Sequence, residues 1–256
     1  MEGKQLLKVF TNPLNRNLSK KGGSSKPDQD SSEPSTSLPS HEHSEHQTSS
    51  PSSFEEAIAQ MESIDNKPEM PENLQGGILV DRIFAVSPYD LNTCLFAPNS
   101  KIRKDFAALQ GTTNLQEGPW ALKPRDMSCL TRIVSYTTKA ASKFIKVVNA
   151  TEEQTYIRVT KEEFGVLLNV SMPELPFGNR FRIKLLYKIM PVGGLLSSGE
   201  VSSHLVVSWG ADFLQKTMMK GMIERGIRQG LKEGFDQFSN LLALNFKVLQ
   251  DTFSRS

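Results

Sequence analysis

Residues able to do chemistry are sparse in this chain. His41, His43 and His46, three of its four histidines, fall close enough together to share a transition-metal ion. They sit in a stretch of Ser, Pro, Glu and Asn that offers nothing to orient their rings, so incidental histidines in a polar segment is the better reading. Cys94 and Cys129, the two cysteines, lie among apolar neighbours without metal-ligand spacing and read as buried free thiols in a reducing compartment. There is no nucleophile elbow, no phosphate-binding Gly-rich loop and no histidine beside either cysteine. The chain therefore reads as a non-enzyme with no cofactor and no metal. With 30 basic against 28 acidic residues, its net charge of +2 gives no nucleic-acid signature.

The elements that would position any site divide the 256 residues unevenly. Residues 11 to 53 hold almost no large apolar side chains, and such a segment cannot offset its ordering entropy. Residues 1–72 are thus expected to be a disordered Ser/Pro-rich region, with serines that could accept phosphate and a short helix at 53–65 carrying Phe54, Ile58 and Met61 on one stripe. That helix could dock on the domain or offer a protein partner a handle. A domain is expected over 73–250, with 251–256 a flexible tail. No window of about 20 apolar residues exists to span a bilayer, and the first residues lack a signal-peptide core. The reading is cytoplasmic.

Within the domain, 78–86 reads as a strand. Ser87-Pro88-Tyr89-Asp90 caps a helix, and Ile102, Phe106 and Leu109 mark one face of a second helix ended by Gly111, with Lys101, Arg103 and Lys104 on a solvated face. Beyond Gly111 the apolar period changes to two, predicting strands near 113–122, 129–137, 143–159, 164–172, 180–190 and 200–209. From Trp209 to about Phe246 the period returns to that of a helix, expected to run about 50 Å. Gly226, Gly230 and Gly234 fall four apart on it. Each costs roughly 1 kcal/mol relative to alanine, which close backbone approach or room for a ligand would justify. The expected fold class is α+β: a curved antiparallel sheet of about six or seven strands wrapped on a long C-terminal helix, with two short helices after the first strand.

That order resembles the helix-grip arrangement of START-like domains, and particular segments resemble the VASt family. Gly111-Thr112-Thr113-Asn114 followed by Gly118-Pro119-Trp120 is similar to its turn, strand and GPW segment. Arg132-Ile133-Val134-Ser135-Tyr136 resembles its R-x-x-S-Y strand. Met172-Pro173-Glu174-Leu175-Pro176-Phe177-Gly178-Asn179-Arg180-Phe181 is similar to its T-P-x-x-P-x-G-x-x-F loop, and Phe213 to Glu224 resembles its W-x-K-x-T-x-x-K-G-x-I-E helix start. The details are most like plant proteins that carry GRAM and calcium-dependent membrane domains elsewhere, kin of the Aster and Lam sterol-transfer proteins. A short isoform, or one piece of such a larger protein, is the expectation.

The resemblance implies a cup holding one sterol or similar lipid and working peripherally at membranes or membrane contact sites. Expected cavity walls are Ile183, Leu185 and Tyr187 from a strand, and Met218, Met222, Ile223, Gly226, Ile227 and Gly230 from the helix. Tyr136, Tyr156 and His204 are candidate partners for the ligand hydroxyl. Lys139, Lys143 and Lys146, with Lys101, Arg103 and Lys104, could meet an anionic membrane surface. At the place of the family's apolar lid, resembling N-P-I-G-P, this chain reads Thr138-Lys139-Ala140-Ala141-Ser142-Lys143-Phe144, shorter and more cationic. The alternative is a protein-interaction or scaffold module with a filled-in cup, in defence or cell-death signalling by the same resemblance.

Overall fold

Serine hydroxyls start the first three helices. Ser53 Oγ accepts from the Glu56 N–H at 3.1 Å to open α1 (Phe54–Glu62). Ser87 does the same for Asp90 at 3.0 Å in α2 (Pro88–Phe96), and Ser100 for Arg103 at 3.2 Å in α3 (Lys101–Leu109). The computed structural model describes residues 53–65, 67–123, 126–139, 147–192 and 201–251, all within one compact unit. The tail histidines and serines, and Lys143 and Lys146, lie outside the described residues. Lys139 ends a described strand, but its side chain is not described.

Nine strands occur among the described residues: β1 (Gly77–Phe84), β2 (Thr113–Glu117), β3 (Ala121–Lys123), β4 (Asp126–Lys139), β5 (Val147–Val159), β6 (Phe164–Ser171), β7 (Phe181–Pro191), β8 (Ser203–Phe213) and β9 (Val248–Asp251). They form one unclosed antiparallel sheet in the order β2-β4-β5-β6-β7-β8-β1-β9, with β3 also on β4. The count exceeds expectation for two reasons. Gly118 and Pro119 split the 113–122 segment, and the Gly118 N–H reaches Ile133 O at 2.8 Å. The chain past the last helix then returns as β9 beside β1.

The last helix, α4 (Lys220–Asn245), begins eleven residues later than the pattern predicts. Leu205, Val207, Trp209, Ala211 and Phe213 alternate in β8 and pair with β7 as far as Phe181↔Phe213. Joined to the helix, that period of two imitates steps of three and four. At 1.5 Å per residue α4 is about 39 Å long. It buries Ile223, Gly226, Ile227, Phe235, Phe238, Leu241 and Leu242 in the core.

Packing also starts well before residue 73. Phe54, Ala57, Ile58 and Met61 of α1 are buried in the same core, Phe54 against Trp120 at 6.3 Å between ring centroids. Residues 67–76 then strap the outer face of the sheet. Leu74 N donates to Ser208 Oγ at 3.0 Å, Lys188 Nζ to Pro71 O at 3.4 Å, and Arg158 Nη1 to Pro68 O at 2.5 Å. The strap crosses the face to which Leu186 points, and Leu186, the apolar exception of β7, is only 1% exposed.

Candidate functional site

One cavity of about 240 Å³ lies between the sheet and the helices. α3 supplies Arg103, Phe106 and Ala107, and Gln110 at its C-cap continues the i, i+3, i+4 and i+7 spacing of that face. β4 and β5 supply Tyr136, Thr138 and Glu152. β6 and β7 supply Leu168, Val170, Ile183, Leu185 and Tyr187, and α4 supplies Gly230, Leu231, Gly234, Phe235 and Phe238. The wall is mostly apolar. Aromatic rings crowd the gap between α3 and α4, with Phe106 and Phe238 centroids 5.1 Å apart and Phe235 and Phe238 5.6 Å apart.

Polar groups gather on the β4–β5 side. Arg103 Nε lies 2.9 Å from Glu117 Oε1 and its Nη2 lies 3.7 Å from Glu152 Oε1. Burial works against the Arg103 charge, but the two carboxylates outweigh it and hold its pKa above the ordinary value. Burial, followed by the negative charge of Glu152, pushes the Tyr136 phenol well above the usual range. Behind this wall lies Arg132, 2% exposed, with Cζ 4.6 Å from the Trp120 ring centroid and Nε donating to Gln154 Oε1 at 2.8 Å. Its Nη1 is 3.6 Å from Glu117 Oε2, and both Nη atoms lack a hydrogen-bond partner. Burial first, then the neighbouring Arg103, lowers its pKa to about 10.

Of the residues expected to wall a cup, the structure brings Tyr136, Ile183, Leu185, Tyr187 and Gly230 together at this cavity. The others go elsewhere. Ile223, Gly226 and Ile227 are buried in the core but do not line it. Tyr156 is fully buried, its ring tilted against that of Trp120 with centroids 4.8 Å apart and its hydroxyl donating to Asn92 Oδ1 at 2.8 Å, so it fastens β5 to α2. Met218 and Met222 point outward, 102% and 40% exposed, because the chain is still turning at Met218 when the predicted helix would have buried it. His204 pairs with Asp81 across β8 and β1, Nε2 to Oδ1 at 2.5 Å, away from the cavity.

Arg103 was expected on a solvated face able to meet a membrane, and the structure instead turns it into the cavity wall between Glu117 and Glu152; Glu152 was not anticipated. The face expected of α3 was Ile102, Phe106 and Leu109, yet Leu109 is 56% exposed and Arg103 turns inward. The helix is rotated towards a stripe that includes a cation and an amide, which a search for apolar periodicity passes over. The usable signal is the presence of acceptors on the neighbouring strands, Glu117 and Glu152.

Two comparisons bear on this arrangement. The family model described as the VAD1 Analog of StAR-related lipid transfer domain, VASt, matches residues 78–230, from β1 into α4. A C2 and GRAM domain-containing protein of Arabidopsis thaliana is 51% identical over 198 residues, which are 77% of this chain and 19% of that protein. The chain thus spans about a fifth of the length of that relative.

Proposed function

The chain belongs to the VASt family of StAR-related lipid transfer domains, and from that membership we propose that it binds one sterol or similar lipid and carries it between membranes without catalysing a reaction. The observation that carries the reading is the largely apolar cavity with a small polar cluster on one side. Burying about 400 Å² of hydrocarbon at roughly 25 cal/mol per Å² yields on the order of 10 kcal/mol before the costs of ordering, enough to compete with a bilayer. Tyr136, Glu152 and Arg103 are the groups that would receive a hydroxyl.

At about 240 Å³ the cavity falls short of the roughly 300–1,000 Å³ of sites that enclose drug-sized ligands. On this reading the cup widens to admit a sterol. Entry displaces the rings of Phe106, Phe235 and Phe238, which separate α3 from α4. The same crowding is the observation that favours the second reading, a protein-interaction or scaffold module whose cup has closed. No helix among the described residues is long and apolar enough to cross a membrane.

The test is mass spectrometry of lipids that co-purify with the chain, followed by extraction of a labelled sterol from liposomes. A stoichiometric neutral lipid and concentration-dependent extraction are expected. A lipid-free protein that extracts nothing would sink the carrier reading and favour the scaffold.

A further inference from the structure

The connections β4–β5, β6–β7 and β8–α4 all leave the sheet at one end, as the pairs Lys139↔Val147, Thr151↔Ser171 and Phe181↔Phe213 require. The cavity reaches towards that end, since Thr138, Val170 and Met172 in its wall sit at the last positions of β4 and β6 and just beyond. Apolar side chains also stand in solvent there. Leu214 is 49% exposed, Met222 is 40% exposed and Met218 is wholly exposed.

The turn that presents them is held by its backbone. Leu214 N–H donates to Arg180 O at 2.8 Å, Met219 N–H to Thr217 Oγ1 at 3.2 Å, and Ile223 N–H to Met219 O at 3.0 Å. Between residues 212 and 225 the charges are Lys216, Lys220 and Arg225 against Asp212 and Glu224. The acidic groups are turned to cations, Asp212 to Lys184 at 3.1 Å and Glu224 to Lys220 at 3.8 Å. Lys216 is exposed. A fixed turn with bare methionine and leucine tips, flanked by lysines, has the make-up of a surface that enters a lipid interface.

We propose that the β8–α4 junction is a membrane-insertion turn, with Leu214, Met218 and Met222 entering the acyl boundary of an anionic bilayer and Lys216 and Lys220 meeting its phosphates. The proposal deepens the carrier reading by setting on the membrane the end of the sheet towards which the cavity reaches. It does not depend on a bound lipid, so the two can fail separately.

The test uses the full chain and vesicles of phosphatidylcholine with phosphatidylserine. Trp120 and Trp209, the two native tryptophans, are 6% and 2% exposed and sheltered from lipid, so a change in emission on the vesicles, taken against the wild type, reports the Met218→Trp indole. Its emission is expected to shift to the blue on the vesicles and to be quenched by lipids brominated in their acyl chains. Leu214→Asp with Met218→Asp is expected to lower vesicle affinity by on the order of tenfold or more. Lys216→Ala and Lys220→Ala should each lower it about fivefold, a loss that salt reproduces in the wild type. Sterol uptake from cyclodextrin should persist in all four variants. An unshifted indole, or wild-type vesicle binding by the double aspartate variant, overturns the proposal. So does self-association that the double variant abolishes, since that would make the patch a protein contact.

Discussion

Gly230→Leu separates two physical uses of glycine on α4. Gly230 lines the cavity, so a side chain added there grows into about 240 Å³ of existing space. Replacing glycine inside a helix contributes about 1 kcal/mol through propensity alone. Burying a leucine side chain contributes about 1.5–3 kcal/mol more, and the usual overpacking cost of about 1–3 kcal/mol is reduced because the space is empty. Net stabilisation of about 2 kcal/mol is expected, raising Tm by about 4–8 °C for a domain of this size. The same side chain occupies room a ligand would need, so sterol extraction should fall to background. Urea unfolding and liposome extraction on one preparation read both quantities. Stability down by a similar amount with extraction unchanged would refute the reasoning, because it would mean Gly230 serves close packing and the lipid goes elsewhere.

Three further outcomes follow from particular contacts. Tyr136→Phe removes a phenol that lines the cavity with Glu152, and affinity for a fluorescent sterol that keeps its hydroxyl should drop about 5–10-fold, with little change for its deoxy analogue. Phe54→Ala should cost about 3–5 kcal/mol in urea unfolding, since the ring is buried against Trp120; a value near zero would detach α1 from the domain. Above pH 10 the unfolded chain loses phenol protons that burial makes Tyr136, Tyr156 and Tyr187 retain when folded, so their stabilisation, full below that pH, is lost as pH rises. Arg132, lowered to about 10, releases its proton earlier in the fold and offsets one tyrosine, which leaves a net loss approaching about 3 kcal/mol per pH unit. Apart from the share of Tyr89, which is 39% exposed and is removed in a Tyr89→Phe background, tyrosinate absorbance should therefore rise together with unfolding, and a rise well before unfolding would contradict the burial.

The strands were legible because their outer faces are polar. Arg182 and Lys184 alternate with Phe181, Ile183 and Leu185, so period and register come from the same residues. Where both faces are covered, the pattern breaks. Leu186 is apolar on the outer face of β7 because the 67–76 strap, which has no period of its own, crosses that face. The start of α4 was misplaced because two periodic patterns abut at Phe213, and only the ladder to β7 tells them apart. In the cavity, the β7 side chains were readable from alternation. The α3 side was not, since its inward face joins Phe106 to Arg103 and Gln110, and the helix turns to satisfy a cation rather than to bury the most carbon.

That preference has a cost to explain. Arg103, Arg132, Glu117 and Glu152 lie together beside an apolar chamber, where well-packed hydrophobic residues would leave a fold as stable or more so by about 1–4 kcal/mol. Stability alone therefore gives no reason for the cluster. Its charges balance, two guanidinium groups against two carboxylates, and only Arg103 and Glu152 of the four reach the cavity. On the carrier reading, a ligand hydroxyl there can accept from the one and donate to the other without disturbing the balance. A ligand carboxylate would bring a third negative charge beside Glu152 and Glu117, with Arg132 held behind the wall under Trp120 and unable to turn outward. On that reading the cluster favours a neutral head over a carboxylate, for an electrostatic reason rather than one of shape.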